Sequence, residues 1–120
     1  MTAPAGRPGP TIEILYFDGC PNYEALVSRL PELLDHAGVK ARIVLRQVES
    51  EEDTRRLRFL GSPTVRIDGR DIEPHAHRRT DYGLKCRLYR TQDRIVGAPP
   101  DALIVEALRA WVSKAPTRAP

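Results

Sequence analysis

The chain has 120 residues, 41% of them hydrophobic, which is enough for one domain with an ordinary core and no covalent staples. Its formal net charge of +3 is modest, and Glu51, Glu52 and Asp53 interrupt the basic character, so charge balance makes no case for a nucleic-acid partner. No run of about 18 apolar residues exists, which excludes a helical membrane span.

Residues 1–10 are rich in Pro, Gly and Ala and lack the apolar stretch of a signal peptide; they are expected to form a disordered arm. The domain is expected over residues 11–114, with a frayed tail at 115–120. Two cysteines without an export signal point to a reducing cytoplasm. There a thiol is reactive, structural or metal-binding instead of locked in a permanent disulfide.

Residues 12–17 carry Ile, Leu, Tyr and Phe and read as a mostly buried, central strand. A turn, Asp18-Gly19-Cys20-Pro21, follows. Residues 21–37 then read as a helix, because Tyr23, Leu26, Val27, Leu30, Leu33, Leu34 and Ala37 recur at spacings of three and four. Pro21 suits the first helical position and Gly38 the stop, whereas Pro31 is expected to kink or split the helix. Residues 41–48 form a second strand. Ser50 caps a short acidic-started helix that Gly61 ends. Residues 64–68 form a third strand, closed by Asp68-Gly69.

Residues 70–83 make a loop longer than a hairpin needs, expected to be the most mobile interior segment and remote from Cys20. Residues 84–90 alternate as a fourth strand, with Leu84, Cys86, Leu88 and Arg90 on the core face. The last helix runs from about Pro99 to Ser113, with Leu103, Ile104, Ala107, Leu108, Trp111 and Val112 on its apolar face.

Cys20 stands where a strand passes into a helix. Free backbone N–H groups and the positive end of a helix dipole there favour a thiolate. The bland reading is a small apolar residue filling a turn. Asp18, two residues earlier, opposes a thiolate by its charge or acts as a proton carrier. Later, Gly61-Ser62-Pro63-Thr64 opens a strand with a proline.

A cysteine after the first strand, and Ser-Pro-Thr opening a later one, resembles the thioredoxin superfamily. The likeness is to small bacterial thioredoxin-like proteins with an FDGCPN-type start (Phe17 to Asn22), a GSPT turn (Gly61 to Thr64) and a GL-x-CR-x-Y strand (Gly83 to Tyr89). Some of these carry names borrowed from alkylmercury lyase. The resemblance implies an α/β, thioredoxin-like fold: a four-stranded mixed sheet, βαβ then ββα, with helices on both faces. It implies a cis Ser62–Pro63 bond facing the thiol, with Pro21, Ser62, Pro63 and Thr64 positioning the substrate.

One departure from the superfamily matters. Its dithiol pattern is Cys-x-x-Cys, and here Tyr23 holds the resolving position in Cys20-Pro21-Asn22-Tyr23. Cys20 is thus expected to form a mixed disulfide with a small thiol or a protein, resolved by an outside thiol or by Cys86. Cys86 reads as a buried small hydrophobe, a partner of Cys20 through a moving loop, or a thiol for an outside molecule. Cys20 and Cys86 are expected to be unbonded at rest, on opposite flanks of the proline-bearing strand.

His75 and His77 read as exposed loop histidines; a shared metal with Cys20 or Cys86 is the alternative, and neither metal nor cofactor is expected. Arg55, Arg56, Arg58, Arg78, Arg79, Arg87, Arg90 and Arg94 read as a solvated surface or as a site for an anionic thiol such as glutathione. Cys20, Asp18 and Cys86 are the candidate catalytic residues. Three functions remain: thiol–disulfide or related thiol chemistry, a non-catalytic thioredoxin-fold binding module, and soft-metal or organomercurial handling by Cys20 and Cys86. The partner is a thiol or disulfide substrate, with no nucleic acid and no membrane. The oligomeric state is not legible.

Overall fold

A computed structural model describes residues 9–113. Strand β1 (Thr11–Tyr16) lies inside a four-stranded sheet, between Arg42–Gln47 on one side and Thr64–Ile67 on the other, with Arg70–Asp71 (β4) at the far edge. Strand β2 (Arg42–Gln47) runs parallel to β1, while β3 (Thr64–Ile67) runs antiparallel to it, with Leu15 opposite Thr64. Helix α1 (Tyr23–Ala37) makes the crossover between the parallel strands. The described residues thus form a mixed α/β domain with three α-helices, and β2 is an edge strand whose residues are mostly exposed.

The alternation in β1 decides where the helices pack. Ile12 and Ile14 join Leu26, Leu30, Leu33 and Leu34 of α1 and Ile104, Val105 and Leu108 of α3 (Asp101–Ser113) in one cluster. Leu15 points into a second cluster with Val48 and Phe59. Successive strand residues face opposite ways, so the sheet carries apolar packing on both sides.

Helix α1 begins at Tyr23, two residues later than the pattern predicts. Pro31 does not split it. Four buried leucines, each contributing roughly 1.5–3 kcal/mol, outweigh the roughly 3 kcal/mol an interior proline costs. Gly38 ends the helix at φ 70°, the left-handed stop expected there. Ser50 caps α2 (Glu51–Arg56) by accepting from the Asp53 N–H at 3.0 Å. Helix α2 stops before Gly61; Arg58, at φ 55°, turns the chain and sends Phe59 and Leu60 into the interior.

Asp68 and Gly69, at φ 50° and 84°, make a tight hairpin from β3 into β4 (Arg70–Asp71). Strand β4, not residues 84–90, is therefore the fourth strand. Among the described residues, residues 84–90 make one isolated backbone bridge beside the sheet, a parallel one between Ser62 and Cys86, and reach β3 and β4 through the Arg87 side chain. They then form β5 (Tyr89–Arg90), which pairs with β6 (Ile95–Val96) in a separate hairpin. Leu84 packs half-buried against the Leu15 cluster and Lys85 is exposed, as expected, but from residue 86 the faces are the reverse of the expected ones: Arg87 and Tyr89 are buried, Cys86 and Arg90 are exposed, and Leu88 is 61% exposed.

The segment 70–83 is not a structureless loop. It holds β4, a 3-10 turn at Ala76–Arg78, buried Ile72 and Ala76, and an Arg79–Asp81 ion pair. At the chain's start Pro10 is buried and its carbonyl accepts from the Arg42 N–H at 3.0 Å, so the expected arm does not extend to residue 10. The rest of that arm and the expected tail from 115 lie outside the described residues. Among the described residues, no helix is long and apolar enough to cross a membrane.

Candidate functional site

Because Leu15 pairs with Thr64, the end of β1 and the start of β3 meet at one end of the sheet. The chain leaving β1 turns back at once: the Cys20 N–H donates to the Phe17 carbonyl at 3.2 Å, and Gly19 at φ 94° permits the turn. Tyr16 and Tyr23 stack with centroids 4.0 Å apart and planes 15° from parallel, closing the base of this loop. Cys20 is 3% exposed, whereas Asp18 and Pro21 are exposed. Partial burial raises the Tyr23 phenol above its ordinary value, with smaller contributions from Glu24, Tyr16, Asp18 and Cys20. Cys20 therefore precedes the helix cap Asn22 and does not occupy the first turn of α1.

Opposite this loop, the Ser62–Pro63 bond is cis, as expected. Ser62, Pro63 and Thr64 are all buried. The Ser62 N–H donates to the Lys85 carbonyl at 2.8 Å, and the Arg87 N–H donates to the Ser62 carbonyl at 2.9 Å. The Tyr89 hydroxyl donates to the Pro63 carbonyl. The Thr64 hydroxyl donates to the Gly61 carbonyl at 2.6 Å and accepts from Arg87 Nη1 at 3.1 Å. The turn expected to position a substrate strand is already paired with the protein's own residues 85–89.

Arg87 anchors that pairing. Its guanidinium, in a residue 1% exposed, donates to Asp71 Oδ2 at 2.7 Å, Asp71 Oδ1 at 3.0 Å and Glu73 Oε1 at 2.7 Å. It also lies 4.8 Å from the Tyr89 ring centroid. Burial is the largest single effect and opposes its charge, but the Asp71 hydrogen bonds, the charges of Tyr89 and Asp71 and the Glu73 hydrogen bond together outweigh it and hold the guanidinium above the ordinary arginine range. The approach is tight: a Cβ on Gly61, at φ 125°, would lie 2.9 Å from Arg87 Cβ. Arg87 Nε and Ser62 Oγ are buried side-chain atoms without a partner among the described residues.

Cys86 sits beside Ser62, while β1 and the Cys20 loop lie on the other flank of the β3 strand. Both cysteines are free. The structure thus groups Cys20 with Asp18 in one turn and places exposed Cys86 at the proline turn, not on a core face. His75 and His77 are exposed, with ring centroids 6.5 Å apart, and line a cleft of about 1360 Å³ along β4 that neither cysteine borders. Among the described residues, no group of three or more His, Cys, Asp or Glu side chains is placed to hold a metal. Of the candidate arginines, Arg56 pairs with Asp53, Arg79 with Asp81, and Arg87 with Asp71 and Glu73, while Arg58 and Arg79 line the same cleft as the two histidines.

Sequence reading missed Arg87, Tyr89, Asp71 and Glu73 as the residues that hold the turn. The available signal was two carboxylates, Asp71 and Glu73, on one side of a strand-period repeat, with an arginine inside a later apolar alternation.

A family described as a domain of unknown function, DUF2703, matches residues 20–108, and the chain belongs to it. No curated protein and no solved structure matches the chain.

Proposed function

We propose that this DUF2703 domain is a thioredoxin-like protein whose Cys20 takes part in thiol–disulfide exchange with a small, low-molecular-weight partner. The observation that carries the reading is the Leu15–Thr64 pairing, which sets side by side the strand ends from which the Cys20 turn and the Ser62-Pro63 turn project. A β-α-β start, a reactive-type cysteine directly after the first strand and a proline turn opening the antiparallel neighbour are the features of the resemblance.

In the exchange Cys20 sulfur bonds to one sulfur of a disulfide, and the other sulfur leaves as a thiolate. Tyr23, at the third position after Cys20, has no thiol to complete the cycle. In this reading Asp18, exposed in the same turn, takes or returns the proton. A small partner is favoured over an extended peptide because the Ser62 N–H and carbonyl are already paired with Lys85 and Arg87.

The test is peptide mapping after incubation with oxidised glutathione. Oxidation that consumes the Cys20 thiol in the native protein supports the reading. The 3% exposure of Cys20 favours a second reading, a binding module that keeps the fold without the chemistry. Under that reading Cys20 stays reduced in the native protein and reacts only after unfolding.

A further inference from the structure

We propose that Cys86 is the thiol that meets an outside disulfide, and that Cys20 is the buried thiol that resolves it. This rests on the reading of Cys20 as an exchanging thiol and assigns the missing second cysteine. The pair replaces the local Cys-x-x-Cys arrangement with one cysteine from each flank of the proline turn.

Three observations place Cys86 in this role. It is exposed whereas Cys20 is 3% exposed, so a disulfide in solution reaches Cys86 without any opening of the fold. It is also held in position. Its neighbours Lys85 and Arg87 pair with both backbone groups of Ser62, and the Arg87 side chain behind it is fixed by Asp71, Glu73 and Thr64. Directly opposed residues of a parallel bridge send their side chains to the same side. Cys86 and Ser62 therefore share a side, and Ser62 contributes a buried hydroxyl without a partner among the described residues.

The third observation links this strap to the Cys20 loop. After β6 the chain returns over the start of α1, where a Cβ on Gly97 would lie 2.6 Å from Asn22 Nδ2. The segment from Cys86 to Gly97 thus rests on the proline turn at one end and, two residues after Cys20, on the cysteine loop at the other. A shift of the loop or strap that brings the two Cα atoms within about 7 Å permits the bond.

The steps balance. The Cys86 thiolate attacks a disulfide RSSR, forming Cys86–SR and releasing RS⁻. The Cys20 thiolate attacks Cys86 Sγ, forming the Cys20–Cys86 disulfide and releasing a second RS⁻. One disulfide is reduced to two RSH, the protein dithiol is oxidised, and the two thiol protons pass to the leaving thiolates.

The experiment incubates the full chain, wild type and the variants Cys86→Ser, Cys20→Ser and Cys20→Ala, with oxidised glutathione at neutral pH, followed by non-reducing mass mapping. Urea midpoints confirm folding, and the alanine variant stands in if serine at the buried site unfolds the chain. The wild type is expected to lose both thiols and retain no glutathione. The Cys20 variants are expected to keep glutathione on Cys86. Cys86→Ser is expected to react at Cys20 at least about tenfold more slowly than the wild type oxidises, because access to the buried thiol is restricted. If wild type keeps glutathione on Cys86 while Cys86→Ser still accepts it at Cys20 without delay, the pairing is wrong but Cys20 chemistry stands. If Cys20 forms no bond in either protein, the reading of Cys20 itself falls.

Discussion

The Arg87 guanidinium meets the Asp71 carboxylate fork to fork, Nη1 to Oδ2 at 2.7 Å and Nη2 to Oδ1 at 3.0 Å, and this contact joins the last third of the chain to β4. Removing Arg87 leaves the half-buried Asp71 and Glu73 carboxylates facing each other without their cation. Arg87→Ala is expected to cost about 3–5 kcal/mol in urea unfolding. Arg87→Lys is expected to recover little of it, since an ammonium cannot make the paired geometry. A loss under about 1 kcal/mol for Arg87→Ala would mean the strap is held by other contacts.

Gly61→Ala tests the close approach beneath that anchor. The added methyl would lie 2.9 Å from Arg87 Cβ and 3.0 Å from Arg87 Cα, at a backbone φ of 125°. A loss of at least about 2 kcal/mol is expected, from overpacking and backbone strain together. The change is also expected to speed hydrogen exchange at the Ser62 and Arg87 amides, a readout of strap detachment.

The Tyr89 phenol gives the protein an alkaline signature. Burial, reinforced by the Asp71 and Glu73 charges against the opposing Arg87, holds it well above the ordinary tyrosine range. Its contribution is fully present below about pH 10, the unfolded value, and is lost as pH rises further because only the unfolded chain then ionises. Urea midpoints are expected to be flat from pH 8 to 9.5 and to fall above that. Tyr89→Phe should flatten the alkaline fall and lower stability at pH 8, since the buried Pro63 carbonyl loses its donor, at about 1–3 kcal/mol.

The acid side has its own signature. Hydrogen bonds from Arg79, and then Lys85, against a burial effect that acts the other way, hold the Asp81 carboxyl below its ordinary range. That contribution is present above an unfolded value of about 4 and is lost as pH falls below it. Asp81→Asn is expected to reduce the loss of stability between pH 5 and 2. An unchanged acid limb in that variant would assign the effect to Asp53, which Arg56 also holds low.

Helix periodicity, caps and turns were legible in the sequence because each rests on residues close together. Leu26 to Leu34 specify α1 across Pro31, Ser50 specifies the start of α2, and Asp68-Gly69 specifies the hairpin. The alternation in residues 84–90 was legible, but not its direction. Hydropathy favours Leu84, Cys86 and Leu88 as the inner face. Asp71 and Glu73, 16 and 14 residues before Arg87, reverse it by drawing the guanidinium inward. No local pattern contains that partnership, and with it went the placement of Cys86. The turn at Ser62-Pro63 was identified correctly, but its occupation by Lys85 and Arg87 depends on the same reversal.

Strand β2 has a different consequence, for solubility. It borders the sheet, and Leu45 is 47% exposed on it. A β-edge of six residues that no other strand pairs among the described residues, with an exposed leucine, is a template on which a second chain can add a strand. Arg42 and Arg46 sit on that edge, and Arg46 is drawn across to Glu13 at 3.0 Å. Arg42 keeps a positive charge on the edge that repels a second copy of it, and so acts as a gatekeeper against chain-to-chain growth while costing the fold little.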